Sequence, residues 1–124
     1  MKEHPEAIMI NVPEAFFKDS MSQDSFEYFY AELMNRENSG HCFHHFISSI
    51  PVHTIHLLCV YVCYKGQVRF RANIAKFTRN GYIETHTGKH GPRHWMTTCG
   101  PVIKAPEGMM QKGFRGFRYT NELF

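Results

Sequence analysis

The chain has 124 residues, of which 43% are hydrophobic and 20% are charged, and its formal net charge at pH 7 is +3. This length and composition are typical of one folded domain that buries a core without a metal ion or disulfides, and they exclude a globally disordered chain. No apolar run approaches the roughly 20 residues of a membrane-spanning helix, so we expect no membrane association.

The first residues and the cysteines predict a cytoplasmic location. The opening sequence MKEHPEAIMINVPE carries acids and a proline where a secretory signal needs an unbroken apolar stretch. The chain has four cysteines, and two of them, Cys59 and Cys63, are four residues apart in one apolar run. On a strand they lie on the same side but too far apart for an easy bridge. We therefore expect reduced cysteines and no disulfide framework.

Charge is distributed unevenly along the chain. Residues 1–62 contain three basic and eight acidic residues, whereas residues 63–124 contain eleven basic and three acidic ones. The first half therefore has a net charge of −5 and the second half a net charge of +8. A basic half rich in arginine and aromatic residues predicts a surface for a polyanion. Strands that expose Lys and Arg side chains to solvent would give the same excess of basic residues, so charge alone leaves both interpretations open.

The N-terminal part is predicted to contain one strand and one main helix. Residues 7–12, AIMINV, form a short apolar run that stops at Pro13 and is typical of a strand. Residues 41–50, HCFHHFISSI, are predicted to form a second short helix or a turn before Pro51. Between these segments, apolar side chains recur at the spacing of one helix face, namely Phe26, Phe29, Tyr30, Leu33 and Met34.

After Pro51 the pattern changes to strands. Residues 55–64, IHLLCVYVCY, are almost continuously apolar, which is typical of a strand buried on both faces. Residues 64–67 predict a tight turn into a second strand. Along that strand the apolar Val68, Phe70, Ala72 and Ile74 alternate with Arg69, Arg71 and Asn73. The alternation then slips, and this slip predicts a β-bulge near Ile74–Ala75.

Glycine and proline residues recur in the next segments and predict turns and loops. Residues 78–92 are predicted to form a turn at Asn80–Gly81 followed by a loop, with at most one short strand at Tyr82–Ile83. The extended stretch that begins at residue 93 is predicted to break at Gly100–Pro101. A short strand over 102–104 and another turn over 105–108 complete this region.

The last segment, GFRGFRYTNELF, is predicted to contain a strand over residues 114–119. Its aromatic residues would anchor it, and Gly116 would mark a bulge or a close approach of two backbones. The whole pattern predicts an α+β domain, most simply a small mixed β-barrel with one main N-terminal helix, because closure removes exposed strand edges. We expect a single domain over 1–124, with a helical N-terminal part over 1–50 and a β-rich barrel part over 52–120.

Four features of the chain resemble one known superfamily. They are the N-terminal helix, the hairpin HLLCVYVCYKGQVRFRANI, the turn GPVIKAP and the closing GFRGFRY. Together they are similar to the PUA-like superfamily, whose ASCH and EVE domains are small nucleic-acid-associated modules, and the similarity covers roughly residues 52–120. It implies a pseudobarrel and a role in recognising RNA or a modified base. The GxKxxExR-type signature of ASCH domains is not present in the chain, so the resemblance assigns no residues one by one.

Arginine and aromatic residues of the second half are candidates for nucleic-acid contacts. Guanidinium groups bind phosphate oxygens bidentately, and aromatic rings stack on bases. The same aromatic residues are also typical of a core, and Trp95 fits both roles. The candidate set consists of Arg69, Arg71, Trp95, Arg115, Arg118 and Tyr119.

Histidine and cysteine side chains are common zinc ligands, but their spacing in this chain does not indicate a metal site. His86, His90 and His94 are four residues apart, a spacing that converges on a helix, whereas the glycines and the proline between them predict a loop. We expect no metal ion and no cofactor, and these histidines would instead gain charge at acidic pH and strengthen an anion contact.

Motifs for catalysis are few, so we assign no catalytic residue. A Cys99 nucleophile with His94 or His90 as its base is conceivable, but no residue is placed to orient that base. The interpretation we favour is a non-catalytic domain that binds RNA, a modified base or another nucleotide-like ligand. Two alternatives stay open: an inhibitor or adaptor of the phage or mobile-element type that binds a protein partner, and a small hydrolase of modified nucleosides.

Overall fold

The structure, a computed structural model, describes residues 6–12, 25–47, 49–52, 57–85, 88–112, 117–121 and 123–124, with side chains for all of these except 25–29, 37 and 85. Its elements are strand β1 (Ala7–Asn11), helix α1 (Ser25–Asn38) and strands β2 (Phe43–Ile47), β3 (Cys59–Tyr64), β4 (Gln67–Thr85), β5 (Gly88–Lys104) and β6 (Phe117–Thr120). The α+β class with one main helix is confirmed. No helix in the described ranges is long and apolar enough to span a bilayer.

The six strands form one mixed sheet in the order β2-β5-β4-β3-β1-β6. Strand β1 runs parallel to β3, and every other neighbouring pair is antiparallel. In the described part of the chain no ladder joins β2 to β6, so the sheet is open there and the closed barrel expected from the sequence is not observed. These two edge strands have only five and four residues, and short edges present few unpaired backbone groups.

Strand β3 is at the centre of the molecule and is buried on both faces, as its continuous apolar run predicts. Val60 and Val62 point to a face that is packed by helix α1, and we call this the helix face. Cys59, Tyr61 and Cys63 point to the opposite side, the far face. None of the four cysteines, all of which the structure describes, forms a disulfide.

Helix α1 covers the helix face with the apolar side chains that its periodicity predicts. Leu33 is fully buried, Met34 packs against the core, and the Tyr30 ring stacks on Phe70 with centroids 4.9 Å apart. The side chains of Phe26 and Phe29, which complete the predicted face, lie outside the described residues. The Asn38 side chain joins the helix end to the sheet, because its Oδ1 accepts a hydrogen bond from the Val102 N–H at 3.0 Å.

The prediction of a second helix or turn over 41–50 is wrong. This segment contains β2, which pairs antiparallel with β5 from Phe43↔Thr98 to Ile47↔His94. Phe43 and Ile47 pack against the core on the helix face, so the strand is held by partners distant in sequence. A five-residue segment has little intrinsic preference of its own, and the unpaired edge of β5 decides its conformation.

The prediction of a loop over 78–92 is also wrong. Strands β4 and β5 form a long hairpin that stays paired as far as Thr85↔Gly88. Asn80 has a positive φ of 48°. The register between β4 and β5 shifts between Thr78 and Gly81, so Asn80 lies in a bulge of β4. Asn and Gly adopt left-handed backbone conformations in bulges as well as in turns, so the Asn-Gly pair alone does not distinguish the two.

Other irregularities of the hairpin are partly as predicted. The register slips between Ile74 and Lys76, which confirms the predicted bulge. Gly100–Pro101 does not break β5, however. Arg71 pairs with Ile103 and Asn73 pairs with Cys99, so three β5 residues face one residue of β4 in a further bulge. The Asn73 Nδ2 stabilises this bulge by donating a hydrogen bond to the Gly100 carbonyl oxygen at 3.0 Å.

The turn between β3 and β4 and the described part of the final strand are positioned as the sequence predicts. Lys65 and Gly66 have φ values of 52° and 76°, which are typical of the type I′ turn of a two-residue hairpin. Strand β6 pairs antiparallel with β1 from Ala7↔Thr120 to Ile10↔Phe117, so the described part of the last segment is a strand locked into the sheet. The predicted bulge at Gly116 lies outside the described residues.

Candidate functional site

Two of the predicted contacts, Arg71 and Arg118, lie in one row across the far face. In the strand registers Arg71 pairs with Tyr61, Tyr61 with Met9, and Met9 with Arg118. Three strand spacings separate the two arginine Cα atoms, a distance of about 14 Å. Arg71 and Arg118 therefore lie on the same face, with two residues between them.

The middle of this row is occupied by the last residues of the chain. The Tyr61 hydroxyl accepts a hydrogen bond from the Leu123 N–H at 2.7 Å, and its ring meets the Phe124 ring with centroids 5.1 Å apart. The Arg71 Nη1 donates to the main-chain oxygen of Phe124. Arg71 thus serves an internal contact, which makes it a poor phosphate ligand, whereas Arg118 is exposed.

The aromatic members of the predicted set do not join these arginines. Tyr119 points to the helix face, where its ring meets Phe117 at 5.3 Å between centroids. Alternation along β6 therefore separates Tyr119 from Arg118. Trp95 is only 8% exposed, and its Nε1–H donates to the Gly81 carbonyl oxygen at 2.9 Å. Its indole ring is consequently part of the hairpin packing and presents no free face to a base.

The remaining two predicted contacts are elsewhere or undescribed. The Arg69 guanidinium carbon is 6.0 Å from the centre of the Tyr64 ring, beside the β3–β4 turn. Arg115 lies outside the described residues. The five residues of this set that the structure describes therefore do not lie together in one site.

The structure brings together a different basic and aromatic group on the outer part of the sheet. Phe46 of β2 pairs with Trp95 of β5, and their rings meet at 6.3 Å between centroids with an interplanar angle of 74°. The Arg93 guanidinium carbon is 4.7 Å from the centre of the Phe46 ring, within the range of a cation–π interaction. Although Phe46 is a large apolar residue, it is 56% exposed.

His44, Thr97 and Lys76 form a second cross-strand row on the same face, and Lys76 gives this row a positive charge. His44 lies two residues from Phe46 on β2, so both side chains point to the far face. The His44 Nδ1 and the Thr97 Oγ1 are hydrogen-bonded at 2.9 Å, and Thr97 pairs in turn with Lys76 of β4. Burial lowers the pKa of His44, and the charges of Lys76 and Arg36 lower it further. We call Phe46, Arg93, His44 and Lys76 the β2 patch.

The β4–β5 hairpin carries further cations beyond the β2 patch. Lys89 Nζ is 4.6 Å from the centre of the Tyr82 ring, and Tyr82 is 53% exposed. Residues 67–104 contain seven basic residues and one acidic residue, for a net charge of +6. Within the described ranges, no ion pair neutralises Lys76, Arg79, Lys89 or Arg93.

The histidine and cysteine candidates that the structure describes do not converge. His90 and His94 lie on strand β5 instead of in a loop, and His86 lies outside the described residues. No group of three or more His, Cys, Asp or Glu side chains that could hold a metal ion occurs in the described part of the chain. Cys99 and His94 are five residues apart on one strand, about 16 Å, so His94 cannot act as the base for a Cys99 nucleophile.

His45 gives the fold a pH-dependent stability that can be measured. Burial lowers its pKa to about 4, and His44 contributes to this shift. The unfolded chain has the usual histidine pKa near 6.5, so it takes up a proton at a pH where the folded protein cannot. The stabilisation is therefore complete above pH ~6.5 and is lost as the pH falls toward 4. Since the ring keeps some contact with solvent, we expect a loss of about 2 kcal/mol from this residue in urea denaturation across that range.

Two variants isolate the His45 contribution. His45→Asn should remove most of this pH dependence, because asparagine does not titrate. His41→Asn, which changes an exposed histidine just before β2, should keep the wild-type profile. Identical pH profiles for the wild type and His45→Asn would show that His45 does not titrate differently in the two states.

The chain was compared with models of protein families, with curated protein sequences and with solved structures, and none of them matches it.

Proposed function

We propose that the chain is a non-catalytic nucleic-acid-binding domain whose contact surface is the β2 patch together with the outer part of the β4–β5 hairpin. The ligand would be RNA, a modified base within it, or another polymer of nucleotides. The observation that carries this proposal is the β2 patch, in which an exposed phenylalanine ring lies beside an arginine and Lys76 lies on the same sheet face.

The charges of this surface match the chemistry of a phosphate backbone. A guanidinium group such as that of Arg93 can donate two hydrogen bonds to one phosphate, and the Lys76 ammonium adds a compact charge on the same face. The excess of cations on the hairpin would attract a polyanion over a distance of about 10 Å at ordinary salt concentration. The proposed function is thus the one expected from the sequence, but most of the residues now assigned to the contact surface differ from those chosen from the sequence.

The PUA-like relationship stays part of this proposal. A mixed sheet with one helix on one face is compatible with a pseudobarrel, which would require the β2 and β6 edges to approach each other. An experimental structure in which these two edges lie on opposite sides of a flat sheet would remove the pseudobarrel and leave the binding proposal to stand on the β2 patch.

The proposal is tested by the salt dependence of binding. We expect a labelled mixed-sequence oligonucleotide to bind in a fluorescence anisotropy titration, with an affinity that falls as salt rises because phosphate contacts release counterions. The double variant Lys76→Gln/Arg93→Gln removes two such contacts. It should bind about tenfold more weakly, and its slope of log affinity against log salt should be shallower by roughly 1.4 for a single strand.

A charge-matched control separates the patch from net charge. Lys104→Gln/Lys112→Gln removes two exposed charges outside the patch and should bind within about twofold of the wild type, because most of the affinity comes from direct contacts. Equal losses in both double variants would argue against a defined surface. A folded protein that binds no oligonucleotide, but retains an acidic protein after nuclease treatment, would overturn the proposal in favour of an adaptor.

A further inference from the structure

We propose, on the basis of the nucleic-acid function above, that the β2 patch recognises unpaired bases, with the Phe46 ring as the stacking platform. The ligand would then be a single-stranded polynucleotide in preference to a duplex.

Phe46 is the residue on which this inference depends. On the short edge strand β2, Phe43 and Ile47 turn inward and pack against the core, whereas Phe46 turns outward to the far face. A phenylalanine with more than half of its surface in water adds little to the packing of the domain. Its position beside cations is what a base-stacking residue requires.

The Phe46 ring is also held in place before any ligand arrives. Trp95 meets it at a steep angle, and Trp95 is itself fixed by the hydrogen bond from its Nε1–H to the Gly81 carbonyl oxygen. Arg93 lies over one face of the ring, 4.7 Å from its centre, and this leaves the other face for a stacked base. A ring fixed in this way loses little conformational entropy on binding.

Base stacking selects for single strands because paired bases are already stacked on their neighbours. In a duplex only the base edges are accessible in the grooves, whereas an unpaired base exposes both faces to an aromatic ring. Proteins that bind single strands combine a positively charged surface with such rings. The β2 patch has this combination on adjacent rows of one sheet face.

The experiment compares three probes of one sequence: single-stranded RNA, single-stranded DNA and the corresponding DNA duplex. The wild type should bind the better single strand at least tenfold more tightly than the duplex at equal salt, and the two single-strand arms show whether the sugar matters. Phe46→Leu keeps an apolar side chain but removes the ring, so single-strand affinity should fall about 5- to 150-fold. The salt slope should stay unchanged because no phosphate contact is lost.

Two further variants and one spectroscopic signal complete the test. Phe46→Trp should bind single strands as tightly as the wild type, since tryptophan also offers a flat ring. Tyr64→Leu removes a ring that also lies beside cations, Lys65 and Arg69, but at the β3–β4 turn outside the proposed contact surface, and it should cause less than a threefold loss. Trp95 is the only tryptophan of the wild type and touches Phe46, so its fluorescence should change when single strands bind.

The failure of this inference can be distinguished from the failure of the proposed function. Equal, salt-dependent binding of single strand and duplex, with Phe46→Leu unchanged, would overturn base stacking and leave the nucleic-acid function in place. Displacement of the oligonucleotide by poly-glutamate at equal charge concentration would show recognition of negative charge alone and would also overturn it. Absence of binding to all three probes would overturn both.

Discussion

Replacing Phe70 by alanine should lower the free energy of unfolding by about 3–5 kcal/mol, the usual cost of truncating a fully buried phenylalanine. Phe70 has no solvent-exposed surface, and its ring stacks on Tyr30 of helix α1. Its neighbours on the helix face include Val60 and Val62, whose positions are set by the β3 backbone. The resulting cavity cannot collapse without moving the central strand, and urea denaturation monitored by circular dichroism would measure the loss.

The matched control for this truncation is Phe46→Ala, which removes the same atoms from an exposed ring. We expect this second change to cost less than about 1 kcal/mol, because most of the Phe46 surface is already in water. A loss as large as that of Phe70→Ala would mean that Phe46 belongs to the core. In that case its proposed contact with a nucleic acid would lose its physical basis.

The centre of the fold was predictable because its signals are local. The apolar run that contains β3 predicts a strand buried on both faces, and Lys65–Gly66 predicts the turn that follows. Helix α1 carries a periodic apolar face, and three of its predicted contacts, Tyr30, Leu33 and Met34, pack against the core. Each of these predictions depends on residues that are close together in the chain.

The outer part of the sheet was not predictable, because long-range pairing forms it. Strand β2 is only five residues long, and its conformation depends on pairing with β5 about 50 residues later. Glycine and proline in β4 and β5 were interpreted as loop signals, but Gly81 and Gly100 accommodate bulges within paired strands. A bulge and a loop use the same residue types, so composition alone does not separate them.

The candidate site, like the outer part of the sheet, depends on contacts between residues that are distant in the chain. The strand registers place Arg71 and Arg118 on one face, but the contact between Arg71 and Phe124 depends on how the chain returns to the sheet. Phe46 and Arg93 are 47 residues apart, so no spacing rule could have joined them. The nearest local signal in the sequence is the closeness of Arg93 to Trp95, but Trp95 is buried and the exposed ring is that of Phe46.

Replacing Gly91 by alanine should cost about 2–6 kcal/mol and should distort the part of the hairpin that carries Arg93. Gly91 has a φ of 134°, a conformation that costs other residues about 1–3 kcal/mol. A Cβ atom at this position would lie 2.5 Å from the Gly81 carbonyl oxygen and 3.1 Å from the Tyr82 Cα. Both neighbours belong to the backbone of β4, so the overlap adds about 1–3 kcal/mol.

Gly88→Ala is the control that separates conformational strain from steric overlap. Gly88 has a similar φ of 123°, but a Cβ atom there meets nothing within 4 Å in the described structure. It should therefore cost only about 1–3 kcal/mol, and the difference between the two variants in urea denaturation measures the overlap. Because Gly81 also accepts the hydrogen bond from Trp95, a shift of β4 in Gly91→Ala would move the indole ring that supports Phe46. Gly91→Ala should consequently weaken single-strand binding while Gly88→Ala preserves it, and equal binding by both folded variants would contradict a contact surface on the β2 patch.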